Sequence, residues 1–176
     1  ILDSGRGSPA LFRSKYLANL TTLIVQGYDD NGHLDADGLR AIAESRHLVN
    51  LRKLDISCNW LFDRSSYEVF AQAAVLALGN LPALVELTAA GMGLSEHVVE
   101  LAAQPWLSRL KVLNLNSNSI NDRGARALAY SPHLEHIERL NLIGNVVIND
   151  GGKTRLSPEV KRLLKQRFGE RVLLDE

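Results

Sequence analysis

The chain has 176 residues, enough to bury a substantial core, and its 45% hydrophobic and 23% charged residues are typical of a globular protein. Twenty basic residues balance twenty acidic ones, so neither nucleic-acid binding nor attraction to an anionic membrane is predicted. A single cysteine, Cys58, excludes a disulfide-stapled scaffold and favours a reducing compartment, and no apolar run reaches the roughly 18 residues of a membrane-spanning helix.

Residues 1–16 match no other part of the chain and contain two glycines and a proline. They are predicted to form a loose arm, an N-terminal cap or the remnant of a missing neighbouring unit. The chain opens at Ile1 rather than Met, as expected of a fragment or of a processed form of something longer.

From residue 17 onward, one pattern of apolar residues returns five times. Its clearest copy runs from Leu110 to Ile120 and has the form L-x-x-L-x-L-x-x-N-x-I. Copies begin at Leu20, Leu51, Leu84, Leu110 and Ile137, at spacings of 31, 33, 26 and 27 residues, and a further leucine stands three residues before each. Repetition at this period predicts a solenoid of about five stacked units over residues 17–155.

Each unit is predicted to contain one strand and one helix. Leucines at the fourth and sixth motif positions alternate with polar residues, as in a strand with one buried face. The period then changes, and the runs Asp35–Glu44, Ser95–Ala103 and Asp122–Ala129 begin with capping residues and continue with helix formers. The expected fold class is therefore α/β, with a parallel concave sheet of about five strands and with helices on the outer side.

Three asparagines, Asn59, Asn118 and Asn145, stand where the chain leaves a strand. An amide at this point can bond to main-chain groups of the turn and of adjacent repeats, so these residues are predicted to form a structural ladder. Tyr28 and Met92 occupy the same position in the first and third units. We therefore expect irregular turns there.

Three insertions depart from the repeat. Gly27–His33 lengthens the first turn, Phe62–Leu78 is predicted to be a longer helix, and Asn145–Arg155 is predicted to be a polar loop. The sequence Gly-Gly-Lys-Thr at 151–154 is similar to the end of a phosphate-binding loop, but valine stands at 147, where the full motif needs glycine. The five histidines show no zinc-ligand spacing, so neither a metal nor a cofactor is predicted.

Residues 156–176 are predicted to be a helical C-terminal cap that belongs to the same domain as the repeats. Ser157-Pro158-Glu159 is typical of a helix start, and Gly169 marks the end of that helix. The run Val172–Leu174 is expected to fold against the last repeat.

The motif Leu110–Ile120, followed by D-R-G-A-R-A-L-A and S-P-H-L, resembles the ribonuclease-inhibitor-like class of leucine-rich repeats. The joining segment Ser131–Leu134 and the closing run from Leu156 to Val172 resemble bacterial cytoplasmic members of that class. This resemblance implies a short horseshoe, a cytoplasmic location and a protein-binding role.

The expected binding surface is the concave face, formed by the third, fifth and seventh positions of each motif. These positions hold Thr22, Ile24, Gln26, Lys53, Asp55, Ser57, Glu86, Thr88, Ala90, Val112, Asn114, Asn116, Arg139, Asn141 and Ile143. Lys53 and Glu86 are expected to be neighbours that neutralise each other. Because none of these positions is aromatic, Tyr28 and Trp60 are the predicted anchors, whereas Trp106, at a repeat junction, is predicted to be core.

The sequence therefore predicts a non-enzymatic recognition module for an unidentified protein partner, as a monomer or as a subunit of a hetero-complex. One alternative is a regulatory segment of a larger multidomain bacterial protein whose activity lies outside residues 1–176. A second is an enzyme with its site in the Asn145–Arg155 loop, and a third is a concave face that is merely solvated.

Overall fold

A computed structural model of the chain describes residues 9–25, 34, 36–58, 78–149 and 152–175. Several predicted features lie outside the described residues: Gln26, Tyr28, Asn59, Trp60, the insertion at 27–33 and residues 62–77 of the predicted longer helix.

Six of the eight strands in the described part of the chain form one parallel sheet. The eight strands are β1 (Thr22–Ile24), β2 (Lys53–Asp55), β3 (Glu86–Thr88), β4 (Val112–Asn114), β5 (Arg139–Asn141), β6 (Val146–Asn149), β7 (Gly152–Arg155) and β8 (Val172–Leu173). The sheet has the order β1-β2-β3-β4-β5-β8, while β6 and β7 pair with each other in a separate antiparallel hairpin. Its register places Leu23, Leu54, Leu87, Leu113 and Leu140 side by side, each no more than 2% exposed. The predicted leucine core and parallel sheet are therefore confirmed.

The sixth strand of this sheet comes from the C-terminal segment. Val172 pairs with Leu140, and Leu173 pairs with Asn141. Val172 is buried and continues the row of core leucines. The expectation that this segment folds against the last repeat is confirmed, but the predicted number of about five strands was one too few.

The described helices pack against the side of the sheet that carries the buried leucines. They are α1 (Pro9–Phe12), α2 (Ala36–Ala43), α3 (Val98–Ala102), α4 (Asp122–Tyr130) and α5 (Pro158–Phe168), with short 3₁₀ turns at Lys15–Leu17, Leu78–Asn80, Ser95–His97, Pro105–Arg109, Pro132–Leu134 and Gly169–Arg171. Neighbouring helices contact one another, α1 with α2, α3 with α4 and α4 with α5. The three predicted repeat helices are present, although the first residues of the run that begins at Ser95 form a 3₁₀ turn.

Helix α1 packs like the outer helix of a preceding repeat. Phe12 is buried, and its carbonyl accepts a hydrogen bond from Ser45 Oγ. The equivalent Ser131 Oγ donates to the carbonyl of Ala102, at the end of α3. The described part of residues 1–16 is therefore attached to the repeats.

A glycine allows α4 to approach α3 closely. A Cβ atom at Gly124 would lie 2.3 Å from Val98 Cγ1, far inside van der Waals contact. The missing side chain at 124 therefore lets helices α3 and α4 pack directly against each other. Trp106, in the turn that follows α3, is 8% exposed, which confirms its predicted place in the core.

The C-terminal cap begins and ends as predicted. Ser157 Oγ accepts a hydrogen bond from Val160 N at the start of α5, and Gly169 ends the helix at a φ of 59°. Asp122 Oδ1 accepts a hydrogen bond from Ser157 N, and Arg126 forms an ion pair with Glu159 at 3.0 Å. These contacts attach the cap to the helix of the repeat before it.

The segment Asn145–Arg155 is not the predicted loop. Strands β6 and β7 form a hairpin in which Val146 pairs with Arg155 and Ile148 pairs with Lys153. The β-branched run from Val146 to Ile148 favours extended backbone, and this signal outweighs the polar and glycine residues on which the loop prediction rested.

Candidate functional site

The side chains that β1–β5 direct away from the leucine core form a surface that we call the open sheet face. Its members are Thr22, Ile24, Lys53, Asp55, Glu86, Thr88, Val112, Asn114, Arg139 and Asn141. Parallel pairing aligns them in two rows, one that begins at Thr22 and one that begins at Ile24. The second row continues onto Leu173 of β8. Ten of the predicted contact residues thus share one surface.

The first row of this surface contains an ion pair. Lys53 Nζ lies 2.9 Å from Glu86 Oε1, as the sequence predicted for neighbours on adjacent strands. Val112 and then Arg139 follow along the row, and Arg139 is exposed and forms no ion pair with a described residue. The described part of the row therefore combines a neutralised pair with an uncompensated cation.

In the second row, three carboxylate or amide side chains hold the turns that follow their strands. Asp55, Asn114 and Asn141 each accept a hydrogen bond through Oδ1 from the main-chain N–H two residues later, at 2.9, 3.1 and 3.0 Å. This is the Asx-turn geometry, in which a side chain replaces a main-chain acceptor. These predicted contact residues consequently shape the edge of the surface, a role that their sequence positions did not indicate.

Ser57 does not lie on the open sheet face. It is 4% exposed, and its Oγ accepts a hydrogen bond from Ala90 N at 3.2 Å. This bond holds its short side chain against the neighbouring turn. The prediction that it points into the open surface was therefore wrong, whereas the longer side chains of Asn116 and Ile143, at the equivalent position of later repeats, keep partial exposure.

Asn118 and Asn145 form the predicted ladder inside the turns. Asn118 Oδ1 accepts hydrogen bonds from Met92 N and Leu94 N, at 2.9 and 3.2 Å. Its Nδ2 donates to the carbonyls of Ala89 and Asn116, at 2.7 and 3.2 Å. The side chain is fully buried, and three of the four hydrogen bonds are buried with it, while the one to the carbonyl of Asn116 is partly exposed.

Asn145 repeats this arrangement one unit later. Its Oδ1 accepts from Asn118 N and Ile120 N, and its Nδ2 donates to the carbonyls of Leu115 and Leu142. Each asparagine therefore bonds to main-chain N–H and carbonyl groups of the preceding unit and to a main-chain carbonyl of its own unit.

The third turn is regular, contrary to the prediction made for Met92. Residues at one turn position share a positive φ: 59° at Cys58, 63° at Gly91, 55° at Ser117 and 72° at Gly144. Because Asn118 of the following unit supplies the acceptors for the third turn, the side chain at 92 is not needed there, and Met92 is buried in the core.

Two cap residues complete the last repeat, and neither stood out in the sequence. Gly144 N donates to the carboxylate of Asp175 at 3.0 and 3.1 Å, where Ser117 N of the preceding unit donates to the carbonyl of Ile143. Arg171 donates to four main-chain carbonyls, two before β5 and two at the end of α5. These side chains stand in for the repeat that would follow.

The geometry disfavours the phosphate-loop alternative. Lys153 and Thr154 lie on an exposed extended strand, whereas a phosphate-binding loop presents main-chain N–H groups at the start of a helix. In the part of the chain that the structure describes, no group of three or more His, Cys, Asp or Glu residues could hold a metal ion. No described helix is long and apolar enough to span a membrane.

Comparison with known proteins agrees with this repeat. A family model described as Leucine Rich repeat matches residues 108–129, which include β4, the Asn118 turn and most of α4. This match supports a leucine-rich repeat protein. No curated protein shows a significant match to the chain. Leucine-rich repeats generally mediate protein–protein interaction and are generally non-enzymatic.

Proposed function

We propose that this chain is a non-enzymatic recognition module that binds a protein partner through the open sheet face. The observation that carries the proposal is a six-stranded parallel sheet that buries one face in the leucine core and leaves regular rows of side chains on the other. The buried ladder and the Asx turns fix this surface before any partner arrives. Preorganisation of this kind lowers the entropy lost on binding.

The arrangement of charge indicates where contact is strongest. Arg139 is the uncompensated cation of the described first row, beside the apolar Val112. Arginine is enriched among residues that dominate interface energies. Ile24 and Leu173, both partly exposed, place apolar surface at the two ends of the second row. We therefore assign Arg139 as the main charged contact, with Val112 beside it and further apolar contacts at the two ends of the second row.

The size of this surface calls for additional contacts. Six strands at about 4.8 Å spacing give a width of about 24 Å. A standard interface uses about 20–30 residues on each side, more than the open sheet face supplies. Gln26, Tyr28 and Trp60 remain our predictions for the additional contacts.

Charge reversal on the open sheet face tests the proposal. A partner captured on the immobilised chain is purified, and its affinity is measured for Arg139→Glu and for Thr88→Arg, which places a bulky group at the centre of the surface. Each change is expected to weaken binding by about tenfold or more. Arg123→Glu on α4 is the matched control and is expected to stay within about twofold. Unchanged affinity in both face variants would reject the open sheet face as the site.

Several finer features are included in this proposal. They are a curved horseshoe shape, the ribonuclease-inhibitor-like class, a bacterial origin and a cytoplasmic location, all of which the sequence resemblance implies. The alternative of a regulatory segment within a larger multidomain protein uses the same surface. Sequencing the complete reading frame distinguishes that alternative from an independent module.

A further inference from the structure

The hairpin of β6 and β7 is an addition to the repeat. Eleven positions separate Asn145 from Leu156, where only two separate Asn118 from Ile120. Leu156 and Ile120 are both buried and each precedes the residue that caps the next helix. The repeat core therefore closes at Leu156, and the hairpin is not needed to build it.

One side of this hairpin carries two kinds of side chain. Val146 pairs with Arg155, and Ile148 pairs with Lys153. Directly paired residues project to the same side of a sheet, as do alternate residues along each strand. These four residues therefore form one surface, which we call the hairpin face, with apolar side chains on β6 and cations on β7.

The hairpin face is exposed. Ile148 is 75% exposed, more than any other large aliphatic side chain in the described part of the chain. Lys153 and Arg155 are exposed, and neither forms an ion pair with a described residue. By contrast, Lys111 and Arg126 are paired with carboxylates at 3.0 Å. A neutral protein thus places two cations that form no ion pair with a described residue beside the most exposed large aliphatic side chain of its described part.

We propose that the hairpin face docks an acidic amphipathic helix of a partner protein. Two residues along a strand advance about 6.8 Å, which matches the rise of about 6 Å between positions i and i+4 of a helix. Carboxylates at those positions can therefore face Lys153 and Arg155 together. An apolar stripe on the same helix then covers Val146 and Ile148.

This occupant fits the surface better than a lipid membrane does. Segments that bind anionic lipids carry about 4–8 clustered basic residues, whereas the hairpin face carries two. A protein ligand needs fewer charges, because shape and apolar contact supply the remaining specificity. The hairpin face belongs to a two-stranded sheet separate from the one that forms the open sheet face, so it constitutes a second contact region.

Binding of a designed peptide to the full chain tests the assignment. The probe is a fluorescein-labelled helical peptide with glutamates in an i, i+4 row beside a row of leucines. One control peptide has glutamine in place of glutamate, and another has the same composition with the glutamates scattered around the helix. Fluorescence anisotropy is expected to show binding about tenfold tighter for the glutamate row than for either control, with affinity that falls as salt rises.

Variants of the hairpin locate the contact. The double change Lys153→Glu with Arg155→Glu, and separately Ile148→Asp, are each expected to weaken peptide binding by about tenfold. An aspartate at 148 would lie opposite Lys153 but removes a β-branched residue, so amide exchange of the β6–β7 pairs checks that the hairpin persists in this variant. Arg123→Glu and Val49→Asp, at exposed sites elsewhere, are the matched controls and are expected to stay within about twofold.

Four results would overturn the proposal. In the first, the hairpin variants bind the peptide as tightly as the unchanged chain does. In the second, the scattered peptide binds as tightly as the peptide with the glutamate row. In the third, the chain binds phosphatidylserine vesicles but not the peptide, and in the fourth, the Lys153/Arg155 double variant aggregates while its affinity for the peptide is unchanged. The last result would mean that the cations only protect the strand edges. If Arg139→Glu abolished peptide binding and the hairpin variants did not, this proposal would fail while the role of the open sheet face would stand.

Discussion

Replacing the buried Asn118 with alanine is expected to destabilise the protein far more than an ordinary loss of one polar side chain. The substitution removes acceptors from Met92 N and Leu94 N, and a donor from the carbonyl of Ala89. The carbonyl of Asn116 keeps a second partner, because Gly91 N donates to it at 2.9 Å. Leu94 N and the carbonyl of Ala89 are thus left buried without these partners, and Met92 N loses one acceptor.

The magnitude follows from those two groups. A buried donor or acceptor without a partner costs about 1–3 kcal/mol, so Leu94 N and the carbonyl of Ala89 together give a loss of about 2–6 kcal/mol. Domains of this kind have a total free energy of unfolding of about 5–15 kcal/mol. At about 2–4 °C per kcal/mol, the melting temperature is expected to fall by roughly 10 °C.

Urea denaturation followed by circular dichroism measures this loss, with Asn116→Ala as the matched control. Asn116 lies two residues away and is half-buried, and its side chain takes no part in the ladder. Its replacement is expected to change stability by less than about 0.5 kcal/mol. Amide exchange should report faster opening at Met92 and Leu94, in the unit before the substituted one. A difference between the two variants below about 1 kcal/mol would refute the ladder argument.

Three further expectations follow from the packing. Gly124→Ala should lower stability by about 1–3 kcal/mol, although alanine favours helices, because its Cβ would collide with Val98; thermal melts that show stabilisation would contradict this. Arg171→Lys should raise the rate of amide exchange in the C-terminal cap almost as much as Arg171→Ala, because one ammonium group cannot reach four carbonyls. Full protection of the cap amides in the lysine variant would disprove this. In a double-mutant cycle, the exposed Lys53–Glu86 pair should contribute less than about 1 kcal/mol, and a larger coupling would show that the pair is less solvated than its position indicates.

The spacing of leucines was sufficient to predict most of the fold. Strand positions, register and buried faces all follow from one repeated pattern, because each unit can bury its apolar residues only against the next. The hairpin was missed because asparagine, aspartate and glycine between Ile148 and Lys153 favoured a loop. Those same residue types also make tight turns between strands, so the β-branched residues before them were the better guide.

The candidate surface was predictable only while the backbone stayed extended. Alternation placed Lys53 beside Glu86 correctly, because both lie within strands. Ser57 was misplaced because its short side chain folds back to accept a hydrogen bond from Ala90 N, which alternation along the strand does not predict. Arg171 could not be identified as a cap residue from the sequence, since its acceptors lie on segments far apart along the chain.

The ladder gives the domain a direction. The third and fourth turns each depend on an amide contributed by the unit that follows, and the last turn depends on Asp175. Removing material from the amino end leaves the remaining turns with their acceptors, whereas removal from the carboxyl end deprives the newly terminal turn of its own. A C-terminal truncation should therefore lower the free energy of unfolding more than an N-terminal truncation of equal length, because the C-terminal segment supplies acceptors to the unit before it.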